Sequence, residues 1–202
     1  MARPRAATYG DTREQILAAA ARLFATRGYT ATTMNEVAAA SGVSKATLYH
    51  YVRDKHELLA MIAAGHVAKL EALVQDVAAC GLPAEPHLRE LIRRFMQAYA
   101  GAQHQHRVLT EDVRFLAEDQ RRAVVDGQRR VVAAFADAVA ALRPDLAAAR
   151  LERPLAMLLF GMINWTFTWL REGGGLTHER LGAIVADLFF GGLPAVVAAG
   201  PD

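Results

Sequence analysis

The chain has 202 residues, of which 53% are hydrophobic and 7% aromatic, and its formal net charge is +2. That is enough apolar material to bury one core with a smaller unit appended, and the longest uncharged stretch, 155–170, is too short for a comfortable membrane span and contains Gly161 and Asn164, so no membrane partner is expected. Cys80, the only cysteine, excludes an intrachain disulfide and fits a reducing cytoplasm.

Alanine is abundant, interior proline is sparse and β-branched runs are short, which favours an all-α fold. Arg3 and Arg5 form a candidate basic arm with no apolar run after them, so no signal peptide is expected. Residues 1–65 carry 8 Lys+Arg against 5 Asp+Glu, a modest positive bias that suits a phosphate-binding head. Thr12 and Gln15 stand in capping positions for a first helix whose inner face is Ile16, Leu17, Ala20, Leu23 and Phe24. Gly28 ends it. Thr33 and Glu36 form a capping box, so a second helix starts at Met34, with Val37, Ala38 and Ala40 as a small apolar face.

Ser41-Gly42-Val43 reads as a tight turn. Gly42 tolerates a left-handed backbone there, and Val43 drops between the helices. Ser44 caps a third helix through the amide of Ala46 or Thr47. Leu48 is its inward anchor, which leaves Lys45, Thr47, Tyr49 and His50 pointing away from the core. A short helix held up by a neighbour and dressed with hydrogen-bond donors fits a DNA major groove. Asp54 and Glu57 form another capping box and open a long helix at Lys55 that runs to about residue 79, where Gly81-Leu82-Pro83 breaks the chain.

The next helix has Pro86 in its first turn and runs to about 103, with Leu88, Leu91, Ile92, Phe95, Met96 and Tyr99 inward. A helix over 107–117 follows, then one over 119–142 that Pro144 closes. Residues 146–171 read as helical with a break at Pro154. Gly173-Gly174-Gly175 is a flexible connection. Thr177 caps a last helix to about 190, with Leu181, Ile184, Val185, Leu188 and Phe189 in one stripe. His104 and His106 beside Glu111 and Asp112 suggest a metal site, but histidines two apart do not share a helix face, and a loop location is the better reading. No phosphate-binding glycine loop is present, and the only serines, Ser41 and Ser44, are already used in the turn and the cap. Neither an enzyme, a metal nor a cofactor is therefore expected.

Residues 12–59 resemble the DNA-binding domain of the TetR family of bacterial transcriptional repressors. The agreement is ordered along the chain: Ala25, Gly28-Tyr29, Thr32-Thr33, Val37-Ala38, Ser41-Gly42-Val43-Ser44, Leu48-Tyr49-His50-Tyr51, Lys55 and Leu58-Leu59. The resemblance implies a three-helix helix–turn–helix domain over 1–58 and a larger helical effector-binding and dimerisation domain over 59–202. It implies that Thr33 bonds a phosphate and that Lys45, opening the recognition helix, reads a base, with guanine its natural target. Ala46 and Thr47 meet a phosphate or a thymine methyl, Tyr49 and His50 contact backbone or bases, and Ser44 belongs to the same DNA-binding set. Tyr51 and Lys55 clamp phosphates, with packing of Tyr51 against the first helix as the alternative.

In that family the last two helices form a four-helix bundle across a two-fold axis, and the stripe from Leu181 to Phe189 with the apolar segment 155–170 looks like that element. A homodimer on a near-palindromic double-stranded DNA operator is the expectation. The segment GMINWTFTWLR at 161–171 is similar to the C-terminal region of TetR-type regulators of fatty-acid, aromatic-acid and sterol-ring breakdown, several of which sense acyl-CoA thioesters. Phe95, Met96, Tyr99, Phe115 and Phe135, with Met157, Phe160, Asn164, Trp165 and Trp169, are the candidate lining of a pocket for a small hydrophobic effector. An acyl-CoA would direct its phosphates to Arg121, Arg122, Arg129 or Arg130, unless these are simply a solvated helix face. The alternative effector is an aromatic or drug-like hydrophobic molecule. A cytoplasmic repressor released from its operator by that effector is the function the resemblance implies.

Overall fold

The computed structural model describes residues 9–170 and 173–198. Arg3, Arg5 and Arg171 lie outside the described residues. All regular structure among the described residues is helical, as the composition predicts. The α-helices are α1 (Tyr9–Arg27), α2 (Met34–Ala40), α3 (Lys45–Tyr51), α4 (Lys55–Ala79), α5 (Ala84–Gly101), α6 (Gln103–Glu111), α7 (Glu118–Leu142), α8 (Pro144–Ala148), α9 (Glu152–Asn164), α10 (Thr166–Trp169) and α11 (His178–Gly192). Two 3₁₀ turns, Val113–Phe115 and Leu193–Ala195, complete them.

The chain divides into two compact units. Among the described residues, one is 9–66 with 104–124, the other 67–103 with 125–170 and 173–198. The expected division at residue 58 is a cut along the chain, whereas the first unit also takes in α6, the turn after it and the start of α7. Contacts far apart in sequence explain this. Phe115 stacks on Tyr29 with ring centroids 5.1 Å apart, and the buried rings of His66 and His106 meet with Nε2 and Nδ1 3.4 Å apart.

Several boundaries differ from expectation for identifiable reasons. α1 begins at Tyr9, so Thr12 lies inside it; Asp11 in its first turn complements the helix dipole. α6 begins at Gln103, which puts His104 and His106 on a helix rather than in a loop. The helix expected over 107–117 stops at Glu111 and gives way to the 3₁₀ turn. Pro154 is the third residue of α9, a position where a missing N–H costs nothing, so it opens that helix instead of breaking it. The breaks fall at Arg150, which has φ of 59°, and at Trp165 between α9 and α10.

The first unit buries Ile16, Ala20 and Phe24 of α1, Val37 of α2, Leu48 of α3 and Leu58, Leu59 and Ile62 of α4. In the second unit three phenylalanines make the centre. Phe95 and Phe135 meet edge to face at 4.9 Å, and Phe160 lies 4.7 Å from Phe135. α11 lays Leu181, Val185 and Phe189 onto the same core. Gly127 is required by close packing: a Cβ there would run into Cγ1 of Val67.

Candidate nucleic-acid interface

α2, the turn after it and α3 build an exposed polar face on a buried post. Thr33 caps α2: its Oγ1 accepts the Glu36 amide at 3.3 Å, while Glu36 Oε2 accepts the Thr33 amide at 2.8 Å. These donors, the Thr33 amide first, hold the Glu36 carboxyl below its usual range. The Thr33 hydroxyl also points to Glu36 Oε2, at 2.9 Å. Both donors of Thr33 are thus committed to Glu36, which leaves none for the phosphate expected there.

Gly42 takes φ of +66°, the left-handed conformation the turn needs, and Val43 closes the turn by donating its amide to the Ala38 carbonyl at 3.1 Å. Ser44 then caps α3 by accepting the Thr47 amide at 3.0 Å. Leu48 is fully buried. Around it Ser44, Lys45, Ala46, Thr47, Tyr49 and His50 are all exposed. Lys45 Nζ lies 6.0 Å from the centre of the Tyr49 ring, one turn along the helix. The structure therefore brings six of the expected DNA-contacting residues onto one accessible surface.

Tyr51 is half-buried and stacks on Tyr9, the first residue of α1, so it packs against the first helix. Lys55 stands elsewhere than expected. Its ammonium donates to the carbonyls of Tyr29, Thr30 and Thr32 at 2.9, 3.2 and 2.9 Å, and it sits 4.6 Å from the Tyr29 ring centre. An ammonium has three protons, and here all three are taken, so in this structure Lys55 latches the α1–α2 connection. Its helix is capped by Asp54, whose Oδ1 accepts the Glu57 amide, but the Glu57 carboxylate turns to the Arg53 amide rather than closing the box on Asp54.

The expected effector residues fall in three places. Phe95, Met96, Tyr99, Phe135 and Phe160 are buried together in the second unit. Tyr99 donates its hydroxyl to Asn164 Oδ1 at 2.8 Å, and burial pushes its pKa up, so that proton stays in place. Phe115 belongs to the first unit, stacked on Tyr29. Met157, Trp165 and Trp169 are 54%, 61% and 50% exposed, which removes them from any core pocket. The C-terminal stripe is also divided: Leu181, Val185 and Phe189 are core residues, while Ile184 and Leu188 face outward. A surface groove of about 540 Å³ is lined by Glu85, Arg89, Arg143, Asp187 and Phe190 among others, none of them an expected effector residue.

Arg121, Arg122, Arg129 and Arg130 are paired with Glu118, Asp119, Asp126 and Glu71 respectively, all on exposed faces. Among the described residues no group of three or more His, Cys, Asp or Glu side chains is placed to hold a metal ion. Nor is any described helix long and apolar enough to cross a membrane.

Comparison with known proteins agrees with this architecture. Residues 16–62 match the model of bacterial regulatory proteins of the tetR family, and residues 81–193 match the tetracyclin repressor-like C-terminal domain. A TetR-family transcriptional regulator from Bordetella parapertussis 12822 superposes with a TM-score of 0.86 at 33% identity, over 95% of this chain and 100% of that one. AibR, solved in complex with isovaleryl coenzyme A and operator DNA, shares the fold with a TM-score of 0.74 at 24% identity, over 88% of this chain and 97% of that one. The transcriptional regulator LmrA of Bacillus subtilis is 37% identical over 93 residues, 44% of this chain, and the match spans 50% of LmrA. With both family models matched in order along the chain and the helix–turn–helix complete in the structure, this chain belongs to the TetR family of DNA-binding transcriptional regulators, a class without enzymatic activity.

Proposed function

We propose that the protein is a cytoplasmic repressor that holds a near-palindromic operator as a homodimer and releases it when a small hydrophobic effector binds. The observation that carries this reading is the face of α3: donors and a cation exposed on a short helix that is capped by Ser44 and anchored by buried Leu48. Lys45 is the base reader. Lys45→Ala is expected to weaken operator binding by about 1–3 kcal/mol, roughly 5- to 150-fold, and to relax preference at one base position. Titration against a panel of single-base operator variants measures this; equal losses on every variant would refute the role.

Most of the large hydrophobic side chains exposed among the described residues lie in α9 to α11: Met157, Leu158, Trp165, Trp169, Ile184 and Leu188. Exposed apolar side chains gathered on these C-terminal helices support a dimer, and two α3 helices then fall about one DNA turn, roughly 34–36 Å, or a small multiple apart. Leu188→Glu is expected to give a monomer in analytical ultracentrifugation at micromolar concentration and to lose operator binding. A dimeric variant would place the interface elsewhere.

For the effector, the Phe95–Phe135–Phe160 cluster with the Tyr99–Asn164 pair supports a largely apolar ligand carrying one polar group. An acyl-CoA thioester fits the likeness to AibR, whose solved complex holds isovaleryl coenzyme A. An aromatic or drug-like molecule fits the arginines better, because each already has a carboxylate partner and no ready cluster awaits the coenzyme's phosphates. Either way, effector and DNA weaken each other by the same factor, and about 1–3 kcal/mol of coupling gives a 5- to 150-fold switch. Selection of duplexes from a random 30-base-pair library by the purified protein, followed by challenge with acyl-CoAs and aromatic acids, tests the whole reading. Retention of no sequence would overturn it.

A further inference from the structure

Tyr9 opens α1 and is 60% exposed, yet its ring is engaged on both sides of the end of α3. It stacks on Tyr51 with centroids 4.5 Å apart and planes at 28°. It meets His50 edge to face at 6.2 Å, and His50 meets Tyr51 the same way at 5.6 Å. Three rings from two helices therefore hold one another at the C-terminal end of the recognition helix.

At that end buried Val52 anchors the backbone, while the rings of His50 and Tyr51 depend on a neighbouring helix. α3 has seven residues, too few to be stable alone. Ser44 ties down its first turn and Leu48 its middle. Beyond Leu48 the backbone has the Val52 amide donating to the Leu48 carbonyl at 3.1 Å, and the two aromatic side chains that follow Tyr49 lean on Tyr9. A side chain ordered before binding does not lose its rotamer freedom at the interface.

We propose that Tyr9 is a positioning residue for DNA binding: it fixes the rings of His50 and Tyr51 in the orientation in which they meet the duplex backbone. This rests on the reading of α3 as the recognition helix. The contribution comes from ring stacking and not from the hydroxyl, so phenylalanine serves in place of tyrosine. It adds no charge, so the salt dependence of binding stays as it is.

The test uses a duplex that the wild-type protein selects from a random library, with affinity read by fluorescence anisotropy. Tyr9→Leu is expected to weaken binding about three- to tenfold, the range of one aromatic pair. Tyr9→Phe stays within twofold of wild type. Once Tyr51→Leu is present, adding Tyr9→Leu costs less than it does in the wild-type protein, because only the contact with His50 is left to lose. Thermal melting of Tyr9→Leu matches wild type, since the residue is mostly exposed. The proposal is overturned if Tyr9→Leu binds as wild type does, if Tyr9→Phe falls with it, if the two losses simply add, or if the loss tracks a lowered melting transition. A wild-type protein that selects no duplex overturns the DNA reading itself, a failure distinct from each of these.

Discussion

Leu48→Ala is expected to destabilise the first unit by about 2–5 kcal/mol and to abolish specific DNA binding. Leu48 is fully buried at the middle of α3, and the helix is far too short to persist without that anchor. Set against about 5–15 kcal/mol for an ordinary domain, the loss is a large share of the stability that keeps the recognition face in place. Urea unfolding followed by circular dichroism measures it, with two transitions allowed for because the chain forms two units. Leu48→Met, which keeps volume and apolarity, should retain both stability and binding. A Leu48→Ala protein that unfolds at the wild-type midpoint would show that α3 is held by something other than its core contact.

Lys55→Met is the second large effect, and it separates two roles that sequence alone confuses. The substitution keeps most of the aliphatic stem but leaves the carbonyls of Tyr29, Thr30 and Thr32 without their shared donor. Losing a charged donor to three carbonyls, two of the bonds partly buried and the one to Thr30 exposed, is expected to cost about 2–4 kcal/mol of stability. DNA affinity falls with it, equally on every sequence, because the connection that sets α2 against α1 loosens. The salt dependence decides the matter. A true phosphate contact lowers the slope of log affinity against log salt by about 0.9 when removed. With its three protons already spent, Lys55→Met should leave that slope unchanged.

The legible parts of the fold are those whose partners lie within a turn or two. Thr33 and Glu36 are three residues apart, as are Ser44 and Thr47, so both caps can be read from spacing. Gly42 is readable because only a residue free of a Cβ takes a left-handed turn at no cost. The bounds of α4, Lys55–Ala79, follow from Asp54 at one end and the Gly81-Leu82-Pro83 break at the other. The candidate DNA face was legible for the same reason: burying Leu48 dictates which of its neighbours point outward.

Other assignments failed where the deciding partner is distant in sequence. The family resemblance gives Lys55 a phosphate, while the carbonyls it bonds in the structure lie 23 to 26 residues upstream, out of reach of any local signal. The capping signal at Thr12 is local and carries nothing about Tyr9, whose ring is ordered by Tyr51 on α3. Phe115 sits between helices that otherwise read as effector domain, and only its stack on Tyr29 assigns it to the first unit. Helical periodicity marked Leu181 to Phe189 as one apolar stripe, yet it could not divide that stripe into the residues that meet α5 and those that face outward.

From the order of residues alone come an all-helical chain, a capped helix–turn–helix and the outward set from Ser44 to His50, since caps, turns and periodicity are determined within a few residues. Only the packed structure turned Lys55 to carbonyls far upstream, placed Tyr9 under Tyr51, and separated the exposed Trp165 and Trp169 from the buried Phe95, Phe135 and Phe160. A side chain's use depends on which acceptor, ring or void reaches it first, and long-range packing brings those neighbours in without leaving a periodic trace in the sequence.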